Sequence, residues 1–167
     1  MIIRKAENAD MEKIMEIFAY ARERMKFSGN PTQWRDDKPY RSVVEKDISE
    51  GNAYVTIDDE GVSGVFAFIV GEDPTYKVIE DGAWLNDEEY GTIHRVAAGS
   101  RVKGLLSAAL EFCEKRIDNV RIDTHENNKI MQHILEKNGY IKCGRIYIDD
   151  GSPRIAYHKE IKKDIQV

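Results

Sequence analysis

The spacing of apolar and polar residues along the chain predicts an alternation of strands and helices. Apolar residues recur three and four positions apart in four segments, which predicts amphipathic helices at about residues 8–27, 40–50, 102–117 and 127–138. Short segments rich in β-branched and aromatic residues predict strands at residues 1–5, 53–57, 62–70, 92–98, 120–124, 141–148 and 154–159. This order predicts a mixed α/β fold of the α+β type, with a central mixed sheet of about six to seven strands and helices on both faces.

The same spacing predicts which helical residues reach the core. In the first two helices they are Ile14, Ile17, Phe18, Ala21, Met25, Val44 and Ile48. In the last two helices they are Val102, Leu106, Ala109, Leu110, Cys113, Ile117, Ile130, Met131, Ile134 and Leu135. Residues 76–81 fit either a further short strand or an irregular arm. Because no repeat or linker interrupts the pattern, we expect one domain over residues 1–167.

The most informative segment, residues 90–140, runs strand, turn, helix, strand, helix. The first of these helices opens with Arg101, Lys103 and Gly104. The first turn of any helix has N–H groups without partners in the helix, and the helix dipole adds partial positive charge there. Gly104 lets a ligand approach the backbone closely, while the two basic side chains add charge. The segment therefore predicts an anion site for a phosphate or diphosphate. An ordinary helix start that binds no ligand has the same sequence pattern.

Composition narrows the class of protein. A chain of 167 residues with 41% hydrophobic and 33% charged residues fits one ordinary soluble domain. No apolar run approaches the ~20 residues that cross a bilayer, and the N-terminus lacks a signal-peptide pattern. The two cysteines, Cys113 and Cys143, form no disulfide framework, which favours a cytoplasmic setting. The net charge of −5 argues against nucleic acid as a partner.

The order of motifs over about residues 90–146 resembles the GNAT superfamily of acetyl-CoA-dependent N-acetyltransferases. Arg101-Val-Lys-Gly-Leu-Leu106 matches the family's pyrophosphate loop, Gln/Arg-x-x-Gly-x-Gly/Ala. The segment Asp123-Thr-His-Glu-Asn-Asn128, together with Met131 and Lys137-Asn-Gly-Tyr140, matches the family's next strand and helix. The loop differs from the family pattern at its last position. The family has a small residue there, whereas this chain has Leu106, whose larger side chain narrows the approach of a ligand to the helix start.

The resemblance implies direct transfer of an acetyl group from acetyl-CoA to a primary amine of a small molecule or peptide. It also implies that the strands at 92–98 and 120–124 are parallel and splay apart to admit the pantetheine arm. Backbone groups of Val96, Ala97 and Ala98 would bind that arm. The pyrophosphate would bind the backbone of Arg101, Val102, Lys103, Gly104, Leu105, Leu106 and Ser107. The Asn128 side chain would bind the arm, unless it only caps its helix.

Direct transfer requires a general base and a hydrogen-bond donor to the carbonyl oxygen. An amine with a pKa of about 10.4 is charged at pH 7, so a base or a water relay must take its proton. A strand N–H near Val96 or Ala97 would donate to the oxygen. For the base, strand alternation places His94 on the face of Val96, and His125 follows the neighbouring strand. Glu80 and Asp81 are acidic alternatives, and either histidine also fits a purely structural role.

The usual acid is missing from its expected position. In many GNAT enzymes a Tyr seven residues after the Asn protonates the departing thiolate, and that position is Leu135 here. Tyr147 and Tyr157 are alternatives, although both also fit simple strand packing. Otherwise a water protonates the sulfur or CoA leaves as the thiolate.

The predicted position of the acceptor site rests on the resemblance alone. It places the connection between the first two helices beside the acceptor, where Gln33 and Trp34 would form a wall for an amine. A Trp that anchors its loop on the core fits equally well. Selection of the acceptor would fall to residues 27–40, 71–90 and 147–154.

Of two other functions, one remains open and one is disfavoured. A non-catalytic acyl-CoA-binding sensor or interaction domain on the same fold is supported by Leu135. A flavin or nucleotide binder is disfavoured, because the sequence has neither a Walker-type loop nor the three-glycine fingerprint. We expect no nucleic acid, membrane or metal as partner, and an exposed C-terminal edge strand could form a homodimer.

Overall fold

The computed structural model describes residues 1–162, which form seven strands and four α-helices. The strands are β1 Ile2–Lys5, β2 Ala53–Asp58, β3 Gly61–Val70, β4 Gly91–Ala98, β5 Asn119–Thr124, β6 Ile141–Tyr147 and β7 Pro153–Glu160. The helices are α1 Met11–Phe27, α2 Arg41–Ser49, α3 Leu105–Glu114 and α4 Lys129–Lys137. The sheet order is β1-β2-β3-β4-β5-β7-β6, with β4 parallel to β5 and antiparallel pairs at both ends. The predicted mixed α/β fold class is confirmed.

Both predicted boundaries of α3 are wrong for local reasons, and one alternative left open by the sequence is decided. Helix α3 begins at Leu105 rather than near residue 102, because Gly104 has φ +73° and cannot belong to a right-handed helix. It ends at Glu114 rather than near residue 117, where Arg116 N donates to Cys113 O in a tighter turn. Residues 76–81 form no strand beyond a single bridge between Glu80 and β6, so the irregular-arm alternative holds.

Residues 1–69 and 93–109 form the first of two compact units. Strands β1, β2 and β3 pair antiparallel, and the predicted residues Ile14, Ile17 and Phe18 of α1 are buried in its core. Val44 of α2 joins the same core, as predicted. Gly99 N, just after β4, donates to a β3 carbonyl at 2.8 Å. The apolar pattern of α1 and α2 therefore identifies the core of this unit correctly.

The second unit comprises residues 70–92 and the chain from residue 110 onward. Its core is built on Tyr76, Tyr90, Ile146 and Ala156. The predicted core residue Leu135 of α4 is fully buried, whereas Ile130, also predicted for the core, is 63% exposed. The difference arises because α4 is only nine residues long and Ile130 lies in its first turn. Both cysteines are buried free thiols.

Within the described residues, no helix has the length and apolar character needed to cross a membrane.

Candidate functional site

The start of α3 has the geometry of an anion site. Gly104 O accepts the first helical hydrogen bond, from Ala108 N at 3.1 Å, so the N–H groups of Gly104, Leu105 and Leu106 have no partner within the helix. The helix dipole places partial positive charge at the same end. A Cβ on Gly104 would meet no atom of the described residues within 4 Å, so the space above the loop is open. These donors fit a diphosphate.

A glycine in β3 allows the start of α3 to pack closely on the sheet. Leu105, the first residue of α3, is only 3% exposed and packs over Gly64. A Cβ on Gly64 would lie 2.9 Å from a Leu105 methyl carbon and 2.7 Å from Thr56 Oγ1. The absence of a side chain at this position therefore lets the helix start lie close to the sheet. Leu106, the bulky residue of the loop motif, is half-buried.

Arg101 is paired with acidic side chains of the β2–β3 turn. Its Nε and Nη2 donate to the two Asp58 oxygens at 3.0 and 3.1 Å, and Glu60 Oε2 lies 2.8 Å from Nε. The Arg101 guanidinium lowers the pKa of the Asp58 carboxyl through these hydrogen bonds. Two carboxylates therefore surround the Arg101 guanidinium, and a contribution of its charge to the anion site stays a prediction. Lys103, exposed in the same loop, carries the second predicted charge.

Strand β4 contains a residue in a left-handed conformation. Arg95 has φ +52°, which is uncommon for a residue other than Gly. Its Nε and Nη2 donate to the Asp47 carboxylate of α2 at 2.7 and 2.8 Å, a bidentate ion pair. The strict alternation assumed for residues 92–98 is therefore interrupted at Arg95. Beyond it, Ala97 is buried, while Val96 and Ala98 are half-buried.

The two candidate bases differ in their surroundings. His94 is half-buried and immediately precedes Arg95. His125 is half-buried after β5, and its Nδ1 accepts from Asn127 N at 3.0 Å. Burial, reinforced by the positive charge of Arg154, lowers the pKa of His125. The ring is therefore neutral at neutral pH, its proton on Nε2 and its one lone pair already engaged.

Asn128 is the N-cap of α4. Its Oδ1 accepts from Met131 N at 3.1 Å, the usual geometry of an asparagine cap. Its side-chain amide lies 3.8 Å from the Met131 sulfur. The capping role is therefore present, and binding of the pantetheine arm by Asn128 stays a prediction.

The residues considered as acids occupy different environments. Leu135, at the usual position of the acid, is fully buried. Tyr157 is also fully buried; its OH donates to Glu136 at 3.4 Å, and burial raises its pKa to about 12. Tyr147 is 38% exposed, and its OH donates to Glu80 at 2.9 Å. Of the two tyrosines, only Tyr147 is open to a ligand.

The second unit has a cleft of about 480 Å³ between β6, β7 and the neighbouring loops. Its charged and aromatic lining consists of Asp81, Glu126, Lys142, Arg145, Tyr147 and Arg154. Asp81 forms an ion pair with Arg145, which also donates to Tyr147 OH at 3.4 Å. Two of the three segments expected to select the acceptor, 71–90 and 147–154, thus contribute to one cleft.

Trp34 and Gln33 are held by their own unit. The Trp34 ring packs edge-on against Phe18, with centroids 5.5 Å apart, and lies against the core of α1. Gln33 Oε1 accepts from Asn30 Nδ2 at 2.8 Å. Of the two roles considered for Trp34, these contacts supply the anchoring of its loop, and contact with an acceptor stays a prediction.

Asp47 and Asp58, the acidic partners of Arg95 and Arg101, were not identified from the sequence. A signal for Asp47 was present, because it lies three residues after Val44 and so shares the buried face of α2. A carboxylate on such a face needs a cationic partner, and Arg95 is that partner. No comparable signal marks Asp58, which ends β2 beside an ordinary acidic turn.

Known proteins agree with the fold. A family model described as an acetyltransferase (GNAT) domain matches residues 1–141. A solved GNAT-family acetyltransferase from Streptococcus agalactiae 2603 is 36% identical, covers 97% of this chain and 96% of that chain, and has a TM-score of 0.87. The chain therefore belongs to the GNAT acetyltransferase family, a family of acyltransferases that generally use acetyl-CoA.

More distant solved structures share the fold. A GNAT-family acetyltransferase from Listeria monocytogenes 4b F2365 is 22% identical, with 96% and 94% of the two chains covered and a TM-score of 0.71. A ribosomal-protein-alanine N-acetyltransferase from Brucella melitensis is 14% identical, with 96% and 100% covered and a TM-score of 0.64. No curated protein matches the chain.

Proposed function

We propose that this protein is an N-acetyltransferase that moves an acetyl group from acetyl-CoA directly to a primary amine of a small molecule or a peptide. The observation that supports this most is the start of α3, where Gly104 leaves an open approach to the first-turn N–H groups. A diphosphate matches these donors in charge and geometry. Acetyl-CoA supplies the acetyl group as an activated thioester.

The residues that would hold acetyl-CoA lie along β4 and the loop after it. Backbone N–H groups of residues 104–107 would bind the diphosphate, with Lys103 as the nearby cation. Arg101 would act by anchoring the loop on Asp58. Backbone groups of Val96, Ala97 and Ala98 would bind the pantetheine arm, and Asn128 would contribute its side chain.

The cleft of the second unit is our proposed acceptor site. Its lining offers an acceptor the carboxylates of Asp81 and Glu126 and the cations of Lys142, Arg145 and Arg154, with Asp81 already paired to Arg145. Tyr147, on the same lining, would hydrogen-bond the acceptor or donate a proton to the departing sulfur. Its exposure and its bond to Glu80 support this role better than the buried position of Tyr157.

We propose His94 or His125 as the general base. A neutral imidazole has a single lone pair, and in His125 that lone pair accepts a backbone N–H, which a base would have to release. Loss of the base should lower kcat by about 10²- to 10⁴-fold, so His94→Gln and His125→Gln are compared. His133→Gln, an exposed residue of α4, is the matched control and should leave kcat unchanged. The variant with the larger loss identifies the base, and losses no larger than that of His133→Gln in both variants would exclude the two histidines.

Release of free CoA in the presence of amines tests the function itself. The enzyme is mixed with acetyl-CoA and, in turn, lysine, spermidine, an aromatic amine and peptides with free N-termini, and thiol release is recorded. Amine-dependent release, with acetylated product found by mass spectrometry, is the expected result. Binding of acetyl-CoA with no product across the panel would instead support the non-catalytic acyl-CoA-binding domain, which the leucine in place of a tyrosine at position 135 favours.

The setting and assembly stay proposals as well. We propose a cytoplasmic protein without nucleic-acid or membrane partners, and a homodimer formed through an edge strand. Of the seven strands in the described residues, β1 and β6 are the edges, and Ile141 of β6 is 54% exposed. Sedimentation at micromolar concentration distinguishes a monomer from a dimer.

A further inference from the structure

We propose that the ion pair between Arg95 and Asp47 is a positioning device that holds β4 in the shape that binds the acetyl carbonyl. The inference rests on the proposed function, because it concerns the thioester end of the same site. Arg95 and Asp47 are positioning residues in this account, since they act through the backbone of β4.

The first observation is the strained backbone inside β4. Arg95 has φ +52°, a conformation that residues with a Cβ adopt rarely, and it lies within a strand rather than in a turn. A residue in this region persists only where the surrounding structure holds it there, and such residues concentrate at functional sites. Something in the first unit must therefore hold Arg95.

The second observation is the group that holds it. Arg95 Nε and Nη2 donate to Asp47 Oδ2 and Oδ1 at 2.7 and 2.8 Å, so both the distance and the plane of the guanidinium are fixed. The Asp47 side chain is only 9% exposed, and it lies on the same face of α2 as the buried Val44. The pair thus fastens the centre of β4 to a packed helix.

The consequence falls on the next peptide group. A left-handed residue within a strand turns the following peptide away from the regular ladder, as at a β-bulge. On this argument the N–H of Val96 would be the group so turned, and it is one of those proposed to face acetyl-CoA. Loss of the Arg95–Asp47 pair should therefore affect binding of the acetyl carbonyl more than binding of the rest of CoA.

The ratio of the Kd for CoA to the Kd for acetyl-CoA isolates this contact, because only acetyl-CoA has the carbonyl. Asp47→Asn should lower that ratio by about two- to tenfold, the loss expected for one hydrogen bond. Asp10→Asn is the matched control. Asp10 is bound by Arg4 at 2.8 and 2.9 Å, and its side chain is also 9% exposed. It should cost stability and leave the ratio unchanged.

A second pair of variants separates backbone shape from charge. Arg95→Ala and Arg95→Gly both remove the ion pair, but only glycine accepts a positive φ without strain. Arg95→Gly should therefore retain much more of the acetyl-CoA preference than Arg95→Ala, and it keeps the test usable if Asp47→Asn fails to fold. Backbone ¹³C shifts of residue 95 report whether the left-handed conformation persists.

The outcomes are distinct. A wild-type protein that binds neither CoA nor acetyl-CoA overturns the proposed function and this inference together. Binding of both, with the ratio unchanged in Asp47→Asn or with Arg95→Gly and Arg95→Ala equally affected, overturns only the inference. A lowered ratio in Asp47→Asn, retained in Asp10→Asn and in large part restored by glycine at position 95, supports it.

Discussion

Replacement of Gly104 by alanine separates a ligand-binding role of the loop from a folding role. Gly104 has φ +73°, and an added Cβ would meet no described atom within 4 Å, so no clash within the protein is expected. The folding cost is then the backbone strain alone, about 1–2 kcal/mol for a left-handed residue with a Cβ. For a chain of this length, that corresponds to a melting temperature lower by about 2–8 °C.

The binding cost should be larger. A methyl group at position 104 projects into the space above the N–H groups of the helix start, where we place the diphosphate. Loss of one hydrogen bond to a charged group is worth about 1.5–3 kcal/mol, which is roughly 10- to 150-fold in the Kd for acetyl-CoA. Isothermal titration measures this Kd, and thermal unfolding measures the stability of the same samples.

Gly29 provides a matched control in the same unit. It has φ +84°, and a Cβ there also meets no described atom within 4 Å, but it lies after α1 and outside the α3 loop. Gly29→Ala should lower the melting temperature about as much as Gly104→Ala and leave the Kd unchanged. If the two variants weaken binding equally, or if Gly104→Ala binds as the wild type does, the α3 start is not the diphosphate site.

Two further predictions concern packing and pH. Gly64→Ala places a Cβ 2.9 Å from Leu105 and 2.7 Å from Thr56, so the start of α3 should move. The Kd for acetyl-CoA should then rise about tenfold. An unchanged Kd with an unmoved helix would contradict the packing argument. His158 is fully buried, and burial together with the charge of Arg121 lowers its pKa to about 4, so the unfolded chain takes up this proton first as the pH falls. Stability should therefore decrease from about pH 6.5 to pH 4 by up to about 1.4 kcal/mol per pH unit, and urea unfolding should show a flatter profile for His158→Gln. The same slope in both proteins would place the effect elsewhere.

The fold was largely predictable because periodicity reports burial directly. The buried face of α1 follows from the spacing of Ile14, Ile17 and Phe18, and the position of Leu135 follows in the same way. Periodicity fails where a helix begins, since Ile130 fits the pattern but lies exposed in the first turn of α4. The start of α3 depends on the φ of Gly104, which no periodicity contains.

The candidate site was predictable only where it is local in sequence. The loop before α3 needs a glycine followed by a helix, and both are visible in a short segment. The ion pairs of Arg101 with Asp58 and of Arg95 with Asp47 join residues 43 and 48 positions apart, so they depend on tertiary packing. The left-handed conformation of Arg95 is likewise set by its surroundings, because arginine has no preference for it.

A crystal structure of the protein with bound CoA tests the central claim most directly. The account predicts diphosphate oxygens within about 2.7–3.2 Å of backbone nitrogens in residues 104–107, with Arg101 still on Asp58. A diphosphate bound elsewhere, or a helix start closed by the side chain of Leu106, would contradict it.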